Sequence, residues 1–179
     1  HGMDSVNKQR CLKLIDESNK FDNITFNYKV KEMMKDISNY KEAEYEIPYE
    51  VKDVLREYQI NAFKWLKTLV KYKFCGILAD DMGLGKTLEI ISLILSDNET
   101  KPSLIVCPKS LIYNWQNEFK KWANSIKVNV VSGSIDERKE IINTGNNNEK
   151  AVYITSYDSL RNDLVLYSEA KFRFCILDE

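Results

Sequence analysis

The residues best suited to chemistry lie between Asp80 and Thr87, where a loop containing glycines ends in Gly85-Lys86-Thr87. An apolar run precedes this loop and a helical pattern follows it, which is the order that a phosphate-binding loop requires. Glycines let backbone N–H groups curl around phosphate oxygens, and the N-terminus of the next helix adds its positive dipole end. We therefore expect Lys86 to bind the β- and γ-phosphates of a nucleotide, and Thr87 to offer its hydroxyl to Mg²⁺.

A second candidate group is the carboxylate pair Asp178-Glu179, which directly follows the apolar run Phe174–Leu177. In open α/β sheets, ligands bind at the carboxyl ends of the parallel strands. Asp178 is expected to bind Mg²⁺, directly or through water, and Glu179 to orient or deprotonate an attacking water. Each signal has a simpler alternative. The carboxylates also suit a polar turn after a strand. The loop also suits a surface turn with a chance Gly-Lys-Thr, since the strict phosphate-loop pattern has Gly where Asp80 stands.

Short apolar runs and helical patterns alternate after Phe74, and this alternation predicts the elements that position these residues. It indicates an α/β fold with a mainly parallel sheet and helices on both faces. A polar loop is predicted at Gly145–Glu149. The predicted strands are Phe74–Ala79, Leu104–Cys107, Val128–Val131, Val152–Thr155 and Phe172–Leu177, and the predicted helices are Lys86–Ser96, Ser110–Trp122, Ile135–Asn143 and Tyr157–Ala170.

The first quarter of the chain is polar, rich in Lys and Asn, and free of glycine after Gly2. Pro48 marks a predicted boundary at its end. We therefore predict a cloning remnant at 1–2, a helical appendage at 3–47 and the main domain at 48–179. Helical spacing of apolar residues predicts helices over Asn27–Tyr40 and Leu55–Tyr72, with a weaker candidate over Val6–Ser18.

Composition restricts the function classes. The net charge is −1, so whole-chain charge gives no support for a nucleic-acid partner. No apolar run is long enough to span a bilayer and no secretory signal is visible, so we expect a soluble cytoplasmic protein, nucleoid-associated in a bacterium or nuclear in a eukaryote. The four cysteines form no Cys-x-x-Cys pair, which argues against a zinc-binding site. Cys75, Cys107 and Cys175 fall in apolar runs and are predicted to be buried, reduced thiols.

Five ordered motifs resemble the first RecA-like lobe of the Swi/Snf family of ATP-dependent DNA translocases, in helicase superfamily two. The resemblance covers about Pro48 to Glu179. The first phosphate-binding motif of the family also lacks the leading Gly, so Asp80 agrees with the resemblance. The motifs are Leu55–Gln59 with Trp65-Leu66, Gly76–Thr87, Val106–Leu111 with Asn114-Trp115 and Glu118-Phe119, Ile154–Arg161, and Leu177–Glu179.

The resemblance implies specific roles, with ATP and Mg²⁺ as cofactors. Gln59 would read the adenine edge, because a carboxamide donates and accepts at once. Hydroxyls, a lysine and backbone N–H groups after strands suit phosphate oxygens of DNA. Trp115 suits either base stacking or core packing, and its helical spacing with Leu111 and Phe119 favours the core. The implied residues are Arg56, Gln59, Met82, Gly83, Leu84, Gly85, Lys86 and Thr87 for ATP, Thr87 and Asp178 for Mg²⁺, Lys86, Asp178 and Glu179 for catalysis, and Lys109, Ser110, Thr155 and Ser156 for the DNA backbone.

The resemblance also implies a larger parent protein that moves along double-stranded DNA and has other protein subunits as possible partners. The second lobe of the family, with its arginine finger, lies outside this sequence. We therefore expect this chain to hydrolyse little ATP, to show no stimulation by DNA and to bind DNA weakly. In the family a further strand separates the strands at Phe74–Ala79 and Phe172–Asp178. The two segments should then not pair. We expect the gap to be filled, by the missing residues or by another chain as in self-association, or the core to rearrange.

The sequence is also compatible with two alternative functions. One is another superfamily-two enzyme, such as an RNA helicase or a restriction motor subunit. The other is a non-catalytic ATP-binding scaffold module.

Overall fold

The structure is a computed structural model that describes residues 27–144, 150–168 and 170–179. The predicted helix Val6–Ser18, the predicted loop Gly145–Glu149 and Cys11 lie outside the described residues. The described helices are α1 (Tyr28–Ser38), α2 (Glu57–Tyr72), α3 (Lys86–Leu95), α4 (Ile112–Trp122), α5 (Ile135–Thr144), α6 (Tyr157–Asn162) and α7 (Leu164–Ser168), with 3₁₀ turns at Tyr40–Glu42 and Lys109–Leu111. The strands are β1 (Ser103–Cys107), β2 (Lys127–Val130), β3 (Ala151–Ser156) and β4 (Cys175–Leu177).

The described residues divide into two compact units, the first of which comprises residues 27–45 and 64–78. Its described helix α1 confirms the helix predicted from apolar spacing. The Asn27 side chain caps the start of α1 by accepting from the Lys29 N–H at 3.0 Å. Asp36 on α1 accepts 2.6 Å hydrogen bonds from Lys71 Nζ and Tyr72 Oη on α2. The bond from the Lys71 ammonium is the largest of the effects that lower the pKa of Asp36.

The second unit comprises Glu46–Phe63 and Ala79–Glu179 and contains the sheet. Its four strands lie in the order β2-β3-β1-β4, and every pair is parallel. Ile105 in the middle of β1 pairs with Ile154 of β3 on one side and with Ile176 of β4 on the other. The five residues of β1 are all buried, as expected for a central parallel strand.

Alternate residues along the strands enter two separate hydrophobic clusters, so helices cover both faces of the sheet. This arrangement confirms the predicted α/β fold. One cluster joins strand residues to α3 and α4, and its members include Ile91, Ile94, Ile105, Cys107, Trp115, Phe119 and Ile154. The other joins the opposite strand face to α5 and α7, and its members are Leu104, Val106, Val131, Ile142, Ala151, Tyr153 and Tyr167.

The prediction of a strand over Phe74–Ala79 is wrong for this structure, because residues 74–79 form no strand. Ile77 is 86% exposed, despite its apolar side chain. An apolar run becomes a strand only when neighbouring strands satisfy its N–H and C=O groups. Among the described strands, β4 pairs with β1 alone.

Two further predictions need correction. The stretch from Tyr157 to Ala170 forms two short helices, since the chain turns at Asp163, whose N–H donates to the carbonyls of Ser159 and Leu160.

The thiols of Cys75 and Cys175 are exposed rather than buried. Cys75 lies in the stretch without a strand, and Cys175 lies on β4 at the end of the strand order. Cys107 is buried as predicted.

Candidate nucleotide site

The loop before α3 has the backbone geometry that its glycines permit. Gly83 and Gly85 both adopt a φ of +85°, in the left-handed region that residues with a side chain rarely enter. Gly85 is the N-cap of α3, and its carbonyl accepts the first helical hydrogen bond from the Leu88 N–H at 2.9 Å. The N-terminal N–H groups of α3 therefore begin directly after the loop, as an anion-binding site requires.

Gln59, the residue predicted to read adenine, lies directly against this loop. Its Nε2 donates to the Leu84 carbonyl at 3.0 Å, and its Oε1 accepts from the Arg56 N–H at 3.0 Å. Tyr58 Oη donates to the same Leu84 carbonyl at 2.9 Å. Gln59 is only 5% exposed, so the start of α2 and the phosphate loop form one packed assembly. The role of Gln59 in reading adenine stays a prediction.

The Lys86 ammonium lies over the loop. Its Nζ donates to the carbonyls of Asp80 at 2.8 Å and Asp81 at 3.1 Å. Lys86 and Thr87 are half-buried, whereas Met82 at the tip of the loop is 86% exposed. A lysine held by two neutral carbonyls can exchange them for phosphate oxygens, which give stronger, charge-assisted hydrogen bonds.

Glu89 is a feature that the motif analysis did not find. It lies one turn into α3, is completely buried, and neither carboxylate oxygen has a hydrogen-bond partner among the described residues. The pKa of Glu89 is raised to about 7, chiefly by burial and to a lesser extent by the nearby Asp80 charge, while Lys86 opposes the shift. The sequence feature that could have indicated Glu89 is its position as an acid inside the apolar run Leu88–Leu95.

Asp178 follows β4 and is held by three contacts. Trp115 Nε1 on α4 donates to Asp178 Oδ2 at 2.7 Å, and Tyr157 Oη donates to the Asp178 carbonyl at 3.1 Å. The Asp178 N–H donates to the Val106 carbonyl at 2.9 Å, which extends the pairing of β4 with β1. Burial raises the pKa of the nearby Cys107 thiol to about 11, with a smaller contribution from the Asp178 charge. This thiol is therefore inert as a nucleophile.

Trp115 is a core residue, as its helical spacing indicated. It is 3% exposed and packs against Phe119 with ring centroids 6.3 Å apart. This position excludes base stacking by the ring in this conformation. The hydrogen bond to Asp178 was not predicted, because Trp115 and Asp178 are 63 residues apart in sequence.

The predicted metal ligands are hard oxygen donors of the kind that Mg²⁺ binds. Mg²⁺ usually takes one or two protein oxygens and completes its shell with phosphate and water, so Thr87 and Asp178 form a suitable pair. Within residues 27–144, 150–168 and 170–179 there is no cluster of three His, Cys, Asp or Glu side chains that would form a metal site alone. In the same ranges no hydrogen bond or ion pair links the loop to Asp178 or Glu179.

The four residues predicted to contact DNA differ in exposure. Lys109 and Ser110 are exposed on the 3₁₀ turn that follows β1. Thr155 is completely buried and Ser156 is 5% exposed. Ser156 Oγ accepts from the Ser159 N–H at 3.2 Å and so caps α6. In this conformation only the side chains of Lys109 and Ser110 are available to a phosphate, and the DNA roles of all four stay predictions.

Residues 58–179 match the model of the SNF2-related domain. This match includes the phosphate loop and ends at the carboxylate pair. The chain belongs to this family. Across the part of the chain that the structure describes, no helix combines the length and hydropathy needed to cross a membrane.

Curated relatives of the chain are much longer proteins. It is 38% identical over 154 residues to the TATA-binding protein-associated factor MOT1 of Saccharomyces cerevisiae, covering 78% of this chain and 8% of the relative. It is 40% identical over 129 residues to the uncharacterized ATP-dependent helicase MG018 of Mycoplasma genitalium, covering 70% of this chain and 12% of the relative. The chain thus spans about a tenth of the length of these relatives.

A solved structure shares the fold. The SWI2/SNF2 ATPase core of Sulfolobus solfataricus, determined in complex with double-stranded DNA, superposes with a TM-score of 0.66 at 34% sequence identity. The match covers 76% of this chain and 28% of that chain. The similarity confirms the RecA-like fold that the motifs implied.

Proposed function

We propose that this chain is the ATP-binding lobe of an SNF2-type DNA-dependent ATPase, and that the parent protein couples ATP hydrolysis to movement on double-stranded DNA. The observation that carries the proposal is the loop at residues 80–87, with its left-handed glycines and with Gln59 bonded to Leu84. A chance Gly-Lys-Thr in a surface turn would need neither the positive φ at Gly85 nor a buried glutamine against the loop.

Nucleotide binding follows from this geometry. The first N–H groups of α3 bind phosphate oxygens, and Lys86 moves from the Asp80 and Asp81 carbonyls to the β- and γ-phosphates. Thr87 and Asp178 would hold Mg²⁺, which neutralises charge on the phosphates when it is bound. Glu179 is exposed, and its carboxylate would orient or deprotonate the attacking water.

The proposed DNA contact is to the phosphate backbone. Lys109 and Ser110 are exposed just after the carboxyl end of β1, where a lysine and a hydroxyl suit phosphate oxygens without reading bases. The Sulfolobus ATPase core, a protein that shares the fold, was solved in complex with double-stranded DNA, which supports duplex DNA as the ligand. With a net charge of −1, this chain alone should bind DNA weakly and with strong salt dependence.

The test is ATP hydrolysis by the full-length protein that contains this chain, with and without duplex DNA. We expect duplex DNA to raise the rate, and Lys86→Ala to lower it at least 100-fold, since phosphate-binding charges stabilise the transition state. Lys120→Ala is the matched control, because Lys120 is an exposed lysine on α4. Hydrolysis that duplex DNA leaves unchanged would contradict the DNA-dependent part of the proposal. Hydrolysis that persists in Lys86→Ala would contradict the site.

A further inference from the structure

We propose that Trp115 is a positioning residue for the proposed metal ligand Asp178, and that Tyr157 supports the same residue through its main chain. The inference rests on the proposed function, since it concerns the orientation of a carboxylate that acts on Mg²⁺-nucleotide. Neither aromatic residue touches the nucleotide in this scheme. Both act through Asp178.

The indole bond fixes the orientation of the carboxylate. An indole N–H is a donor only, and its bond to an ionised oxygen is stronger than a bond between neutral groups. Because Oδ2 accepts this bond at 2.7 Å, the carboxylate plane cannot rotate freely, and Oδ1, which accepts no hydrogen bond from the described residues, is the better placed oxygen for a metal. Donors in the shell around metal ligands orient those ligands in just this way.

The donor itself is immobile. Trp115 is 3% exposed and belongs to the cluster that includes Ile112 and Phe119 on the same helix and Ile105 on β1. Moving the indole would open a cavity in a close-packed core, which is strongly unfavourable. The indole N–H therefore presents a fixed point, in contrast to a water molecule or an exposed side chain.

The main chain of Asp178 is restrained as well. Its N–H bonds the Val106 carbonyl at 2.9 Å, and its carbonyl accepts from Tyr157 Oη at 3.1 Å. Tyr157 is the first residue of α6 and is 38% exposed, so its hydroxyl reaches Asp178 from the protein surface. Two aromatic donors from α4 and α6 thus hold the side chain and the backbone of one residue.

A purely structural role for the indole bond would give a different result from a positioning role. A buried indole N–H needs some acceptor, and Asp178 meets this need in either case. If the bond serves only the core, its loss lowers stability and leaves the Mg²⁺ dependence of nucleotide binding unchanged. If it orients the carboxylate, its loss weakens metal-dependent binding specifically.

The experiment measures ATP affinity by calorimetry at increasing Mg²⁺ concentration for the wild-type chain and Trp115→Phe. We expect Trp115→Phe to need about ten-fold more Mg²⁺ for half-maximal binding, since loss of such outer-shell partners typically costs 10–100-fold. In a chelator, its ATP affinity should stay within about two-fold of wild type. Trp122→Phe is the matched control, because Trp122 on the same helix donates its indole N–H to Glu118 at 3.0 Å and should leave both measurements unchanged.

Tyr157→Phe is a second variant, for use if Trp115→Phe does not fold. It removes a partly exposed hydroxyl and so keeps the core intact. It should raise the Mg²⁺ requirement in the same direction by a smaller factor, whereas Tyr113→Phe, an exposed tyrosine on α4, should not. The inference would be overturned by an unchanged Mg²⁺ requirement in Trp115→Phe. If only Tyr157→Phe folds, an unchanged Mg²⁺ requirement in that variant would overturn it. Equal losses with and without metal would also overturn it. A wild-type chain that binds no nucleotide at any Mg²⁺ concentration would refute the proposed function itself.

Discussion

Two loop glycines with the same backbone angle have different surroundings. Gly83 and Gly85 both have a φ of +85°, but a Cβ at Gly83 would meet no atom within 4 Å. A Cβ at Gly85 would lie 2.5 Å from Gln59 Nε2. Gly85 is therefore required both by its backbone conformation and by the close approach of Gln59, whereas Gly83 is required by its conformation alone.

We expect Gly85→Ala to destabilise the chain by about 1 kcal/mol more than Gly83→Ala. Both variants pay for a left-handed alanine, which costs roughly 1–2 kcal/mol. Gly85→Ala also displaces the Gln59 amide from the Leu84 carbonyl, and a lost hydrogen bond of this kind costs about 0.5–1.5 kcal/mol. Urea unfolding of the two variants measures the difference.

The Gln59→Ala background is the control for this comparison. Without the Gln59 side chain, the two glycine variants should lose the same stability, as a double-mutant cycle requires for interacting residues. A difference that persists in that background would show that the contact with Gln59 is not its cause.

Local motifs were sufficient to predict some residues of the candidate site but not others. Lys86 and Gln59 stand in short patterns whose spacing is visible in the sequence, and the structure brings Gln59 against the loop that Lys86 ends. The bond between Trp115 and Asp178 depends on the packing of α4 against the sheet, which no local pattern specifies. Glu89 was also missed, since an acid in the first turn of a helix usually faces solvent and favours the helix dipole.

At the scale of elements, the two short helices α6 and α7 are linked to α5 by a buried ion pair. Arg138 on α5 donates from Nη2 to Asp163 Oδ1 at 2.9 Å and also bonds the Gly133 carbonyl. The two side chains are 12% and 4% exposed. The hydrogen bonds that Arg138 donates to Asp163 are the main cause of its raised pKa.

We expect Arg138→Met to destabilise the chain by about 3 kcal/mol, because removing one partner leaves the buried Asp163 carboxylate unpaired. Arg161→Met is the matched control. Arg161 pairs with Asp158 on α6, but both side chains are more than 75% exposed, so the loss should stay below about 1 kcal/mol. Thermal unfolding of both variants measures the difference, and equal losses would show that burial of the Arg138 pair contributes nothing.

Sequence patterns predicted most elements because strand and helix periods are local. The strands β1, β2, β3 and β4 begin within one to three residues of their predicted starts, and the helices α3 and α5 begin at their predicted first residues. The stretch at residues 74–79 has the same apolar character but forms no strand, since strand formation depends on a neighbour that local patterns cannot supply. The break at Asp163 depends on its contact with Arg138, 25 residues away.

Two segments of the chain each contain a residue predicted to contact DNA and a residue that holds Asp178. The 3₁₀ turn with Lys109 and Ser110 leads directly into α4, which carries Trp115, and Ser156 directly precedes Tyr157. The segments predicted to contact DNA are therefore continuous with the two supports of Asp178.

At the scale of the whole molecule, the chain covers a small share of its relatives but contains the glycine loop and the helix N-terminus of a phosphate-binding site. It spans 8% of the yeast relative and 12% of the Mycoplasma relative, yet residues 58–179 match the family model. Its charge is nearly balanced, so the proposed DNA binding must depend on particular side chains rather than on the field of the molecule. Nucleotide binding is the property that the described residues support most directly.

Calorimetric titration of this chain with ATP and Mg²⁺, compared between wild type, Lys86→Ala and Lys120→Ala, tests that property. We expect the wild-type chain and Lys120→Ala to bind with equal affinity. Lys86→Ala should bind at least ten-fold more weakly, since it loses charge-assisted bonds worth about 1.5–3 kcal/mol. Equal affinity in Lys86→Ala and wild type would contradict the assignment of residues 80–87 as the nucleotide site.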